Sequence, residues 1–174
     1  SQDTNLTEVE INWTGRYRAA KWQGKIYVVE ENFDVSDEFK AKSTFVHEIT
    51  HIMQENYSLP TRKTFDGAKA LTSLKEGDAT LMADTFKNDR VVPPLAEISI
   101  PSTSGLPDSI NKLNRFVYRY GVEYVKALYQ EGGWKKVNEA YVNPPSTTEQ
   151  IIHPEKYFAQ EDAKEVEAPS MVDG

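Results

Sequence analysis

Apolar and polar positions change period along the chain, and each change marks an element. Val9, Ile11 and Trp13 alternate with Glu10 and Asn12, the two-residue period of a strand. Gly15 to Trp22 repeats that period more weakly. Gln23-Gly24 is a turn pair, and Lys25 to Glu30 reads as the next strand, so the pattern predicts a small, mostly antiparallel N-terminal sheet. The period then lengthens. Ser36 as N-cap, with Asp37 and Glu38 in the first turn where the helix dipole favours negative charge, opens a helix to about Asn56, and Leu59-Pro60 ends it. On that helix Phe45, Val46, Ile49, Ile52 and Met53 share one side, expected to pack on a core, and His47 and His51 share the opposite side.

A second helix is predicted over about Ala68 to Phe86, with Leu71, Leu74, Leu81, Met82 and Phe86 on its apolar side. Glu76 projects from the other side among Thr72, Ser73, Thr80 and Ala83, all small enough for a second helix to come close. Gly77 costs a helix about 1 kcal/mol against alanine, which close packing beside Glu76 would offset. Residues 88–107 form a proline-rich connection. Helical patterns follow over 108–120, 122–131 and 134–142, punctuated by Gly121 and Gly132-Gly133. Tyr118, Tyr124, Val125 and Leu128 recur in them at helical spacing and read as core. Ser146-Thr147-Thr148-Glu149 resembles a capping box opening a short helix through Ile151 and Ile152. His153 precedes Pro154 and is thereby pushed out of helical geometry. Residues 159–174 are acidic and poor in aromatics, the composition of a disordered tail. The expected architecture is α+β, with one domain over 1–158 and the tail over 159–174.

The 174 residues suit one domain with a sizeable core. With 39% hydrophobic and 27% charged residues, and no apolar run long enough to cross a bilayer, the chain reads as globular with no membrane span. A net charge of −7 argues against a nucleic-acid backbone as partner. The absence of cysteine removes disulfides, cysteine–zinc sites and thiol catalysis together. A first residue Ser1 rather than methionine fits either an expressed fragment or a mature form that has lost a leader, the latter pointing to secretion or the cell envelope.

Two of the three histidines fall in His47-Glu48-Ile49-Thr50-His51. On a helix, histidines at i and i+4 lie one turn apart on one face, so both imidazoles reach one metal ion. Glu48, beside them, is placed to take a proton from a water that the metal polarises. A catalytic zinc site has three protein ligands and an open position. The third could be Glu76, His153 or another downstream carboxylate. The metzincin continuation needs glycine at 54 and histidine at 57, and this chain has Gln54 and Tyr57.

His47-Glu48-Ile49-Thr50-His51 followed by Glu76-Gly77-Asp78-Ala79 resembles the two-helix zinc site of gluzincin metallopeptidases. The stretch from Tyr118-Arg119-Tyr120-Gly121 through Gly132-Gly133-Trp134 to Asn143-Pro144-Pro145 and Ile152-His153-Pro154-Glu155-Lys156-Tyr157 is similar to a segment of small gluzincin-like proteins of archaea and bacteria. The resemblance implies a zincin-like fold with a metal helix, a glutamate helix and a helical C-terminal half. His47, His51 and Glu76 would hold Zn2+, Glu48 would act as general base and then as proton donor, and a peptide or protein would be the substrate. It further implies an oxyanion donor downstream, for which His153 is the best match and Tyr141 and Tyr157 are weaker ones. Residues 26–30, just before the metal helix, resemble the strand edge on which zincins lay out a peptide. Asp78, two positions from Glu76, is poorly spaced to share its face. The alternative reading is a catalytically silent zinc-binding interaction module of the same fold. Such a module has no need of Glu48, which is present.

Overall fold

The computed structural model describes residues 18–97 and 108–164, so the strand expected over Val9–Trp13 lies outside the described residues. Strands β1 (Ala19–Trp22) and β2 (Lys25–Val28) pair antiparallel, with Trp22 opposite Lys25. Gln23 and Gly24 between them take φ of 49° and 70°, the left-handed pair that a two-residue hairpin turn requires. A 3₁₀ turn over Glu30–Asn32 leads toward helix α1 (Glu38–Gln54). Its cap is Asp37 rather than Ser36. The Asp37 carboxylate accepts from the Lys40 backbone N–H at 2.9 Å, and Ser36 turns back to donate to Asp34. Helix α2 (Phe65–Lys87) starts at Thr64, whose hydroxyl accepts from Gly67 N–H.

Helix α3 spans Asp108–Val142, and α4 (Thr148–Ile152) and α5 (Pro154–Phe158) meet at His153. The cap of α4 is Thr147, whose hydroxyl accepts from Gln150 N–H while the Gln150 side chain accepts from Ser146 N–H, a capping box one residue later than expected. Just past α5, the Glu161 carbonyl accepts from Gln150 and the Asp162 carboxylate from Ser146. The protein is thus α+β, a two-stranded antiparallel sheet on a mostly helical body. Among the described residues no helix is long and apolar enough to cross a membrane.

Gly121 does not interrupt α3. Only Gly132 and Gly133 leave helical geometry, Gly133 at φ 64° and ψ −161°. Gly121 serves a close helix crossing instead. A Cβ on Gly77 would lie 2.2 Å from the Gly121 carbonyl, and a Cβ on Gly121 would lie 2.2 Å from the Ser73 carbonyl oxygen. The glycine of α2 therefore receives α3 and not α1. Leu74 and Leu81 of α2 pack with Tyr124, Val125 and Leu128 of α3 and with Ile151 of α4 in the main buried cluster.

Helix α1 contributes nothing to that cluster, and its expected orientation is reversed. Phe45, Ile49 and Met53 are 36%, 47% and 62% exposed, and the buried residues of α1 are Ser43, Glu48, Thr50 and Gln54. The reason is that Gln54 and the two imidazoles have their partners on α2 and Glu48 has its on β1, so hydrogen bonding sets the inward face against the apolar stripe. Phe45 finds an edge-on partner in Phe33, and Phe39 stacks on Phe86.

Alanine at Gly77 or at Gly121 should push two backbones apart. Each substitution is expected to lower stability by about 1–3 kcal/mol or more, read as a fall in melting temperature. Thr72→Ala, at an exposed position of the same helix, should stay within about 0.5 kcal/mol of the parent. Equal melting curves for all three variants would remove the crossing from the account.

Candidate metal centre

One turn of α1 separates His47 and His51, and their rings meet edge-on with centroids 4.7 Å apart and Nε2 atoms 3.1 Å apart. From α2, Glu76 Oε2 lies 3.5 Å from His47 Nε2 and 3.6 Å from His51 Nε2. Ligand atoms about 2.0–2.1 Å from one tetrahedral ion sit about 3.3 Å from each other. The three separations match the edges of such a tetrahedron, and the donor set of two imidazole nitrogens and one carboxylate oxygen suits zinc among other metals. His47, His51 and Glu76 could therefore hold a metal ion.

Glu48 is buried, and burial raises its pKa, with the charges of the two histidines opposing that rise. Its carboxylate also takes a backbone hydrogen bond from Lys21. Val29 N–H bonds the Arg18 carbonyl at 2.9 Å, so in the alternation of an antiparallel ladder Lys21 presents its N–H away from β2. The strand whose outward side faces Glu48 is thus β1, and not residues 26–30. Burial alone would raise the Glu76 carboxyl too, but hydrogen bonds and charge from His47 and His51 in their protonated, cationic forms outweigh it and hold Glu76 at about 2. The reverse interaction raises His51 against the effect of its burial.

Behind His51 runs a chain of side chains. Nδ1 of His51 lies 2.9 Å from Gln54 Oε1. Gln54 Nε2 donates to the Lys75 carbonyl at 3.0 Å and to Asp78 Oδ2 at 3.1 Å, and Tyr141 donates its phenol to the same Asp78 oxygen at 2.6 Å. Tyr57 stacks on Tyr141 with centroids 4.6 Å apart.

No protein-family model, curated protein or solved structure matches this chain.

Of the residues singled out in the sequence, the structure brings together His47, His51 and Glu76, with Glu48 on the next residue of the same helix. It does not bring His153 to this group. The His153 ring is half-exposed, with Nδ1 3.3 Å from Glu155 Oε1. The preceding α4 is anchored by Thr148 donating to Asp66, about 15 Å of helix rise before Glu76. Tyr157 donates to the Asn143 carbonyl, and Tyr141 is engaged by Asp78. Gln54 is the residue that sequence reasoning passed over, although its spacing, i+3 from His51, was an available signal. Asp78 was set aside for its i+2 spacing from Glu76, and it reaches His51 through Gln54 of α1 rather than directly.

In the metal-free protein, a Glu76 carboxyl held below its ordinary 4.5 by protonated histidines stabilises the fold above that pH, and the contribution is lost as pH falls toward about 2 and again as pH rises and His51 gives up its proton. The stability gap between the parent and Glu76→Gln, measured by denaturant titration, should therefore be widest between pH 4.5 and the titration of His51, and narrow on either side. A gap independent of pH would mean that Glu76 is not paired with the histidines.

Proposed function

We propose that the protein is a zinc-dependent metallopeptidase of gluzincin type. The observation that carries this reading is the tetrahedral spacing of His47 Nε2, His51 Nε2 and Glu76 Oε2, with the buried Glu48 carboxylate next to His47. Three protein ligands leave one coordination position open, which is the ligand count of catalytic rather than structural zinc. When bound, zinc would supply Lewis acidity toward a water and a peptide carbonyl.

The chain's own groups provide the proton path. Glu48, as carboxylate, takes a proton from the attacking water and returns it to the leaving amine as the C–N bond breaks. Its raised pKa suits both halves of that task, since a stronger base is also an acid nearer the working pH. Glu76 stays ionised as a ligand. Strand β1 runs beside Glu48, and an extended peptide would add to its outward backbone groups. No step falls to His153 in its observed position against Glu155.

The purified protein should take up about one zinc per chain. Glu48→Gln should keep that zinc while turnover of a quenched peptide falls by about 10²–10⁴-fold, because an amide cannot accept the proton. His153→Ala should leave zinc content and kcat near the parent's. A fall in kcat of about 10²–10³-fold with zinc retained would return His153 to the site as an oxyanion donor. Zinc binding with no hydrolysis of any peptide in a diverse library would favour the binding module.

A further inference from the structure

We infer that Gln54 is a positioning residue that fixes the tautomer of His51, holding its proton on Nδ1 and leaving Nε2 bare toward Glu76 and His47. This rests on the proposed metal centre and adds the device that prepares one of its ligands.

The two groups behind Gln54 are the Lys75 carbonyl, 3.0 Å from Gln54 Nε2, and Asp78 Oδ2 at 3.1 Å. A carbonyl oxygen only accepts. Asp78 Oδ2 already accepts from the Tyr141 hydroxyl at 2.6 Å. Two acceptors demand the NH2 end of the Gln54 amide, whose orientation is thereby decided from behind. Its carbonyl end must face forward, where His51 Nδ1 lies 2.9 Å away. An amide oxygen cannot donate, so the contact forms only when Nδ1 carries the proton. A neutral imidazole has one N–H, and Nε2 is then a free lone pair.

The same logic assigns the proton between the two rings. The Nε2 atoms of His47 and His51 are 3.1 Å apart, a hydrogen-bond distance that needs one donor. His51 has spent its only N–H on Gln54, so in the neutral, metal-free site the donor is His47. The two ligand histidines are then opposite tautomers, His51 protonated on Nδ1 and His47 on Nε2. Gln54 is buried, so water does not offer His51 Nδ1 an equal alternative. The amide of α1, the carboxylate of α2 and the phenol of α3 thus act in series on a single ring nitrogen.

The test needs neither turnover nor metal in its first arm. Nitrogen-15 NMR of ring-labelled, metal-free protein, at a pH above the titration of both histidines, distinguishes protonated from bare ring nitrogens. The expected result is Nδ1–H for His51 and Nε2–H for His47. Finding His51 in the Nε2–H form overturns the proposal, whether or not the protein binds metal. In the second arm Gln54→Leu, matched to the parent by circular dichroism and one-dimensional NMR, should lose the Nδ1–H preference and weaken zinc binding by about 10–100-fold in competition with a chromophoric chelator. Asp78→Asn keeps an oxygen for Gln54 and should preserve the His51 tautomer, which separates positioning from packing. An unchanged tautomer in a folded Gln54→Leu protein sinks the assignment. A correct tautomer in a parent that binds no zinc would sink the peptidase reading and leave the positioning chain standing.

Discussion

One turn of α2 carries the constraint on which the remaining structure depends. Gly77 lies against the backbone of α3 at Gly121, and a single added carbon on either glycine would overlap the facing carbonyl. That contact sets the depth of α2 in the body to within a bond length. The residues on either side of Gly77 then point to fixed places, Glu76 at the histidine pair and Asp78 at Gln54 and Tyr141. A ligand set works only if its atoms hold their spacing to a few tenths of an ångström, and contact between main chains is stiffer than contact between flexible side chains. The glycine that weakens α2 as an isolated helix is what makes it a reliable platform.

How much could be read beforehand depended on the range of the interaction. The hairpin, helices α1 and α2 and the small α4 helix follow from local period and turn chemistry, and their ends moved by only a few residues: Asp37 capped in place of Ser36, Thr147 in place of Ser146. The histidine pair was legible because a helix fixes i and i+4 with no help from the rest of the chain. Glu76 required a resemblance to identify it, and geometry then placed it. The side chains that no pattern disclosed have partners far away in sequence. Gly121 looks like a helix break until the opposing Gly77 is seen, and Asp78 joins Gln54 of α1 to Tyr141 of α3.

The reversed face of α1 has the same origin. Amphipathic reading assumes that the apolar stripe decides which side turns inward, and for α1 the larger stake is polar. Gln54, Glu48 and the two imidazoles would each lose their partners if the helix rotated to bury Phe45, Ile49 and Met53. Leaving a buried donor or acceptor unpaired costs about 1–3 kcal/mol each, comparable to the gain from covering a large apolar side chain, and several such groups act together here.

Helix α1 is attached to the body without a share in its core. The main buried cluster is built from α2, α3 and α4, and none of its members comes from α1. What fastens the helix is its polar seam with α2 and the stack of Phe39 on Phe86, together with its contacts to the hairpin. An ion shared by His47, His51 and Glu76 would be a rivet through that seam, joining two helices that the core does not join. Ion affinity and helix attachment would then be one thermodynamic quantity seen from two sides: whatever loosens α1 dilutes the assembled site, and whatever occupies the site clamps α1.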